Sequence, residues 1–417
     1  MNEQVDDKAD RLQYKFLLVL STAYLATDIN VQGVMGLMPF VREDFDISRA
    51  QAGLYTTAFF LFATVVAIFS GRIVDKIGSR RGLVIGTIVL GALMVLHSQA
   101  PYFSIVLILA FFSGLFFSII TPSLSKAVMT RVSPENRATS MGIIHTGGGV
   151  GGFLGASFLP LLGGLWGWRT AVVFSGLTAV AVGLFLYFFL EEDRQESSGL
   201  KGDDDLSFGE AVLTLLKNKY LLLVCSLGFA LGAASGSVPA HYTLYLTQDI
   251  GISAALAGFG LGALQIGGIA GRTGWGWISD NLLDGSRGRG LAIAGFFLAA
   301  LSLLYSFYIT TFQLPLPVIY AVSFFLGFAT MGWMGLFFTA VAELASEELT
   351  GTGTGLALIF VRSGVVLSPP VFGYLADMTG NYRVSWLAAG LFVLVFTAGF
   401  VFFARRLGGS ETVSGLW

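Results

Sequence analysis

"SGRIVDKIGSRRG", Ser70 to Gly82, returns later in the chain as "WGWISDNLLDGSRGRG", Trp275 to Gly290. Both stretches set a glycine four residues before an aspartate and follow it with a further glycine and basic residues. Gly71, Asp75, Gly78, Arg80 and Arg81 carry the pattern in the first copy, Gly276 and Asp280 in the second. Gly71 and Gly276 lie 276 − 71 = 205 positions apart. A second pair, "SPENRATSMG" with Arg137 and "SEELTGTGTG", ends at Gly142 and Gly355, each 25 residues before a "GWR" or "GNYR" at Gly167 or Gly380. A chain that repeats itself once at this period is built of two like halves, the signature of secondary transporters with a substrate site near the membrane midplane.

The segments between these turns are apolar. Of 417 residues, 54% are hydrophobic and 12% charged, with a mean hydropathy of +0.75, about half the charge of a soluble domain. A membrane-spanning helix needs about 20 apolar residues. Spans are therefore expected near 14–40, 50–70, 82–97, 103–130, 141–165, 170–190, 221–246, 254–279, 290–310, 316–341, 352–376 and 384–404. The expected fold is all-α, with twelve transmembrane helices in two pseudo-symmetric six-helix bundles, 1–190 and 220–417. A cytoplasmic linker over 191–219 joins them and holds "EEDRQESSGLKGDDDLSFGE", the densest charge in the chain. The first apolar segment is too long for a signal-peptide core and lacks a cleavage site, so it reads as a retained helix.

Lys and Arg in short loops set orientation. With the amino terminus inside, 18 of the 24 basic residues fall in inner segments, and Arg42, Arg49, Arg169 and Arg383 fall outside. Both termini are thus expected in the cytoplasm, with the chain multi-pass in a bacterial inner membrane.

The two remaining basic residues, Arg272 and Arg362, fall inside spans. A cation in hydrocarbon costs roughly 3 kcal/mol or more unless something pairs it. Arg272, in "QIGGIAGRTGWGWISDN", corresponds by the 205 offset to Ala67 and lies about two turns inside the eighth span from Asp280. Gln265 and Gly268 share its helix face, offering a polar neighbour and room for a bound group. The alternative is that Arg272 snorkels or braces Asp280. Arg362 lies near the middle of the eleventh span, where it either binds an anion or pairs with Asp28. Pro369 and Pro370 are expected to break that helix beyond it. Asp28 is the acidic residue placed deepest in a span, and Tyr24, Asp28 and Gln32 form a stripe at i, i+4 and i+8. Asp28 reads as a proton carrier or as a static counter-ion.

His145 and His241, with Tyr242, Tyr245, Trp333 and Phe337, complete the candidate cavity-lining set, although packing explains each of them as well. The run "TGGGVGG", Thr146 to Gly152, lacks the Lys-Ser/Thr of a phosphate loop and reads as close helix packing. Cys225 is single, so no intrachain disulfide forms, and no zinc or haem spacing exists. No cofactor, metal or nucleic acid is expected. The expected partners are a small anionic solute, a proton or counter-anion, and the lipid bilayer, with the chain monomeric. Without a large soluble domain, a cofactor fingerprint or a nucleophile–base pair, an enzyme is disfavoured.

The Gly71–Arg81 loop resembles the loop motif between helices 2 and 3 of the major facilitator superfamily, and the likeness extends over essentially the whole chain. A narrower resemblance is to its organic-anion branches: monocarboxylate transporters, oxalate/formate transporters and anion:cation symporters. It rests on Pro122, Lys126, Ala127, Pro134, Glu135, Arg137, Gly142 and Gly167 to Arg169, and on Asp28 and Asn30 in "TDIN". Ile29 stands where the symporters have an arginine. The resemblance implies that Arg272 matches a substrate-binding arginine of helix 8, and that Arg362 is the counterpart of a helix 11 lysine. It also implies a gating role for Gly71, Asp75, Gly78, Arg80, Arg81, Asp280 and Arg137.

Together these readings point to a secondary active transporter of a small mono- or dicarboxylate, proton-coupled or exchanging. Gln265, Tyr24, His145 and Tyr242 would join the two arginines around the anion. Two buried cations against one carboxylate leave a positive charge that an anion neutralises. Proton-coupled efflux of a drug-like compound, a nitrate/nitrite-like porter and a non-transporting membrane receptor are the alternatives. The nitrate type requires an arginine in the second span, and 54–70 has none.

Overall fold

The computed structural model describes residues 2–133, 136–191, 208–312, 314–345 and 349–407, with side chains from Tyr14 onward except at 68, 138, 208, 209 and 211. Among these the chain is helical without strands: α1 (Asn2–Phe45), α2 (Arg49–Ile77), α3 (Ser79–His97), α4 (Phe103–Arg131), α5 (Arg137–Trp166), α6 (Trp168–Phe189), α7 (Phe208–Lys217), α8 (Lys219–Gln248), α9 (Ala254–Leu282), α10 (Arg287–Leu304), α11 (Leu316–Met331), α12 (Met334–Leu344), α13 (Thr350–Thr379) and α14 (Arg383–Leu407). Eleven stretches of the described residues are long and apolar enough to cross a membrane. The remaining long helix, α1, carries Asp28, Asn30 and Gln32, which lower its apolarity. The protein is an all-α membrane protein. Pro134, Glu135 and most of the charged linker, 192–207, lie outside the described residues.

Helix ends follow local chemistry. Gly78 turns the chain from α2 into α3 at φ 89, a left-handed angle that glycine adopts without strain. Asn218 caps α8, its Oδ1 accepting the backbone N–H groups of Tyr220 and Leu221, both at 3.1 Å. Its amide also donates to the Leu344 carbonyl at the end of α12 (3.1 Å). Within the linker, α7 is amphipathic, burying Leu215 and exposing Leu213 and Leu216.

The chain forms two compact units, Met1–Ile47 with Ala58–Glu196 and Ile252–Gly262, and Ser48–Thr57 with Ser197–Gly251 and Ala263–Trp417. In the first unit the glycine run of α5 lies directly on α1. A Cβ at Gly151 would stand 2.8 Å from the Leu25 backbone, and one at Gly155 2.8 Å from Ile29 Cα. Such close approach lets dispersion hold the helices where lipid supplies no hydrophobic drive between them. Leu17, Leu20, Leu83, Ile120, Leu124 and Ile144 close the core behind this contact. The second unit repeats the device between α8 and α13, where a Cβ at Gly236 would meet Val365 Cα at 2.7 Å.

One expectation about helix continuity is corrected, and one expected span, which persists over Leu316–Leu344, carries a local turn. The tenth span is divided into α11 and α12 by a turn at Gly332 and Trp333, with the Trp333 indole donating to the Thr330 carbonyl at 2.8 Å. Conversely, Pro369 and Pro370 leave α13 unbroken. The missing N–H of Pro370 frees the Val366 carbonyl, and the Thr57 hydroxyl of α2 occupies it at 2.6 Å. A neighbouring helix supplies the donor, so the backbone has no need to break.

Candidate functional site

In the first unit, Tyr24 and Asp28 face α5 from α1. A Cβ at Gly148 would stand 2.7 Å from Asp28 Oδ2 and 2.5 Å from Tyr24 Cδ1, so both side chains lie against the bare glycine backbone. One turn earlier on α5, the His145 ring meets Tyr24 edge-to-face at 5.2 Å. Tyr24, Asp28, His145 and Gly148 thus form one half-buried cluster of an acid, an imidazole and a phenol inside spans. Asn30, beside them in "TDIN", has a structural role: its amide donates to the Ala26 carbonyl (2.8 Å) and to the Ser175 carbonyl of α6 (3.1 Å).

Arg272 and Arg362 both belong to the second unit. Arg272 lies ten residues, about 15 Å, before the end of α9. Its side chain is exposed, and it makes no hydrogen bond or ion pair with any described residue. Gly271 beside it packs on α11, where a Cβ would stand 2.5 Å from the Phe328 carbonyl oxygen, so Arg272 itself points away from that contact. The room expected at Gly268 is filled, because Met331 stands 3.0 Å from where a Cβ would be. Gln265 is 7% exposed, and its Nε2 has no partner among the described residues. Arg362 is half-buried in α13, twelve residues or about 18 Å from Thr350.

Tyr242 stands apart from these groups. It is 0% exposed, with its hydroxyl bonded to Tyr305 (2.7 Å) and Ser323 (2.5 Å). Its ring packs against Tyr245 and Tyr305, and Tyr305, which opens a π-helical turn, Tyr305–Ile309, stacks in turn on Trp386 at 4.6 Å. His241 is equally enclosed, bonded to the Pro369 carbonyl at 2.8 Å and Tyr382 Oη at 3.2 Å. Trp333 and Phe337 are fully buried and pack edge-to-face. Packed and satisfied groups of this kind fix a core and expose no surface to a solute.

The two copies of the charged turn hold two local networks. Asp75 Oδ1 pairs with Lys126 Nζ of α4 at 3.2 Å, and the same ammonium donates to the Val74 and Asp75 carbonyls that end α2. Arg80 donates to the Tyr187 carbonyl at 2.5 Å and stacks over that ring, whereas Arg137 donates to the Met129 (2.8 Å) and Val132 (3.2 Å) carbonyls at the end of α4. In the second copy Arg287 pairs with Asp280 and, at 3.3 Å, with Glu343 of α12. Cations at these carbonyl-rich ends complement the helix dipoles. A Cβ added at Gly71, Gly142, Gly276 or Gly355 would meet nothing within 4 Å. The repeated glycines therefore make no close contact in this structure.

Sequence reading missed a third cluster, at the start of α2. Asp377, in the last turn of α13, accepts the backbone N–H groups of Arg49 (3.0 Å) and Ala50 (2.9 Å), which open α2. In return the Arg49 guanidinium donates to the α13 carbonyls of Ala376 (2.8 Å) and Gly380 (3.0 Å), and to Gln248 Oε1 (2.8 Å). Each helix end is capped by a charge borne on the other. Arg49 also lies 5.2 Å over the Tyr382 ring, and the Tyr382 N–H donates to Asp249 Oδ2 at 2.6 Å. No short-range motif announces this cluster, since its members come from segments more than 100 residues apart.

Burial pushes the Asp249 carboxyl above its ordinary value, only partly opposed by the Tyr382 N–H and Arg49. In the interval between the ordinary and the raised value, the unfolded chain is ionised while the folded chain holds the proton. Stability contributed by this group is therefore full in acid and declines as pH rises from about 4 through the raised value. Melting curves of wild type and Asp249→Asn across pH are expected to diverge in that direction, the variant being relatively more stable at neutral pH. Parallel curves would remove Asp249 from the balance.

The family model of the Major Facilitator Superfamily matches residues 20–369 and 242–416. The membrane sensor protein UhpC of Escherichia coli (strain K12) is 24% identical over 94% of this chain and 93% of its own length. The probable sulfoacetate transporter SauU of Cupriavidus necator (strain ATCC 17699 / DSM 428 / KCTC 22496 / NCIMB 10442 / H16 / Stanier 337) is 23% identical over 91% of each chain. Among solved structures, a bacterial homolog of the human lysosomal transporter Spinster superposes with a TM-score of 0.78 at 19% identity, covering 94% of this chain and 97% of that one. With the repeated charged turns and the paired helices of each unit, these matches lead to one conclusion: the chain belongs to the Major Facilitator Superfamily, as a multi-pass membrane transporter and not an enzyme.

Proposed function

We propose that the chain moves a small organic anion, a mono- or dicarboxylate, across a bacterial inner membrane by alternating access, coupled to a proton or to a counter-anion. Arg272 and Arg362 anchor the carboxylate, Gln265 donates to it, and Asp28 carries the compensating proton beside Tyr24 and His145. The observation that carries this reading is Arg272: a guanidinium about 15 Å inside a membrane helix, with no acidic or hydrogen-bonding partner among the described residues. Such a charge is costly in hydrocarbon and calls for an anion. The relative named as a probable sulfoacetate transporter gives the same chemical class. Tyr242, enclosed among aromatic rings, is left out of the site. Both termini and the linker over 191–219 lie in the cytoplasm, with bundles 1–190 and 220–417 on either side of it.

Counterflow of mono- and dicarboxylates in proteoliposomes tests the proposal, which fails if no carboxylate is exchanged. The proton role has its own test in Gly148→Ala, whose methyl group would stand 2.7 Å from Asp28 Oδ2 and must displace it. This variant and Asp28→Asn are expected to flatten the pH dependence of uptake while sparing exchange. An unchanged pH profile in both would return Asp28 to a static counter-ion.

A second reading, that the chain binds its anion without moving it, is favoured by the relative named as a membrane sensor protein. Saturable binding of the anion with no flux into proteoliposomes would select it.

A further inference from the structure

We propose that the end of α14 is a binding site for an anionic phospholipid. Ala398, Val401, Phe402, Arg405 and Arg406 follow one another at spacings of three, one, three and one, so they occupy one side of the last turns of α14. With Phe296 of α10 they line an open groove of about 430 Å³. Its walls are apolar and aromatic, and its rim carries the two guanidiniums. Both arginines are exposed, and neither forms an ion pair with a described residue. The Arg406 guanidinium lies over the Phe402 ring, 4.3 Å from its centroid, which joins the charge to the apolar wall.

Depth decides the ligand. Both helices are membrane spans, Arg287–Ile309 and Arg383–Arg406, so the arginines stand where a span ends. Phe296 is nine residues, about 13 Å, along α10 from Arg287, and so lies at hydrocarbon depth. Phe296 is 40% and Phe402 50% exposed, which leaves ring surface for a chain to cover. A soluble anion would satisfy the guanidiniums and leave the walls bare. A neutral lipid would cover the walls and leave two cations without a counter-charge. A lipid with an anionic headgroup satisfies both ends at once. Two arginines in a helix's last turn also complement its dipole, but that accounts for the charge and not for the apolar groove beside it. The contrast is a groove of about 250 Å³ between α8, α13 and α14, lined by Leu367, Val371 and Phe392 among others and by no charged residue. That groove can take acyl chains but has nothing with which to choose a headgroup.

The test is native mass spectrometry of the full chain after incubation in mild detergent with equal amounts of phosphatidylglycerol and phosphatidylcholine of identical acyl chains. Wild type is expected to retain phosphatidylglycerol preferentially, with each arginine contributing about fivefold. Arg405→Gln/Arg406→Gln is expected to retain the two lipids alike, Arg405→Lys/Arg406→Lys to keep the preference, and both to melt as wild type does. No preference in wild type, or an undiminished one in the double glutamine variant, overturns the proposal. Inorganic phosphate is not expected to displace the retained phosphatidylglycerol. Displacement by an equal concentration of phosphate would show that the headgroup alone is bound, and would overturn the lipid site.

Discussion

Arg272→Ala is expected to lower anion uptake in proteoliposomes about a hundredfold, equivalent to ~3 kcal/mol for removing one partner of a charge-assisted pair with the bound anion. The protein should fold and elute as wild type, because Arg272 is exposed and bonds to no described residue. Arg272→Lys is expected to recover part of the uptake with weaker apparent affinity, since lysine keeps the charge but lacks the planar fork that grips a carboxylate. Arg362→Ala should match this fall in uptake if both cations hold the anion. A defect at Arg362 that Asp28→Asn rescues would instead assign Arg362 to an ion pair with Asp28. Wild-type uptake by both alanine variants refutes the anion site.

Gly53→Leu is expected to have the largest effect on stability. A Cβ at Gly53 would stand 2.5 Å from the Pro369 carbonyl carbon and oxygen, backbone that cannot swing aside. The first turns of α2 must then leave α13, taking with them the Thr57–Val366 bond and the mutual capping of Arg49 and Asp377. Overpacking alone costs about 1–3 kcal/mol. Removal of one charged cap, as in Asp377→Ala, costs about 1–2 kcal/mol. Both should appear as a lowered melting temperature in detergent, with Gly53→Leu the lower. Gly71→Ala is the control, because its methyl group would meet nothing within 4 Å, and its melting should match wild type. Equal melting of Gly53→Leu and wild type would show that α2 does not rest on α13 in solution.

The candidate site residues are legible in the sequence to different degrees, and the physical reason is range. An ionisable side chain in an apolar run is a local anomaly, so Asp28, Arg272 and Arg362 stand out from composition and spacing alone. Helical periodicity sets Tyr24 and Asp28 on one stripe, and the structure adds the facing wall, Gly148 with His145 one turn away. Aromatic residues give no such signal. Tyr242 has the same apolar surroundings whether it lines a cavity or fills a core, and only the positions of Tyr305, Ser323 and Tyr245 put it in a core. Gly268 misleads for the same reason, since Met331, which fills the space, comes from another helix.

By itself the sequence determined that this is an all-α membrane protein, that its halves are duplicated, and where charge interrupts the hydrocarbon. These follow from hydropathy, period and spacing, each a property of neighbouring residues. Tertiary structure decided which charges meet: Asp75 with Lys126, Arg287 with both Asp280 and Glu343, and Asp377 with the start of α2. It also decided that the carbonyl freed by Pro370 finds Thr57, so that α13 runs on where the proline pair alone argued for a break. Apart from Asp280 and Arg287, which share one turn, these partners are separated by tens to hundreds of residues and leave no trace in local pattern, because the energy that selects them exists only once the helices have packed.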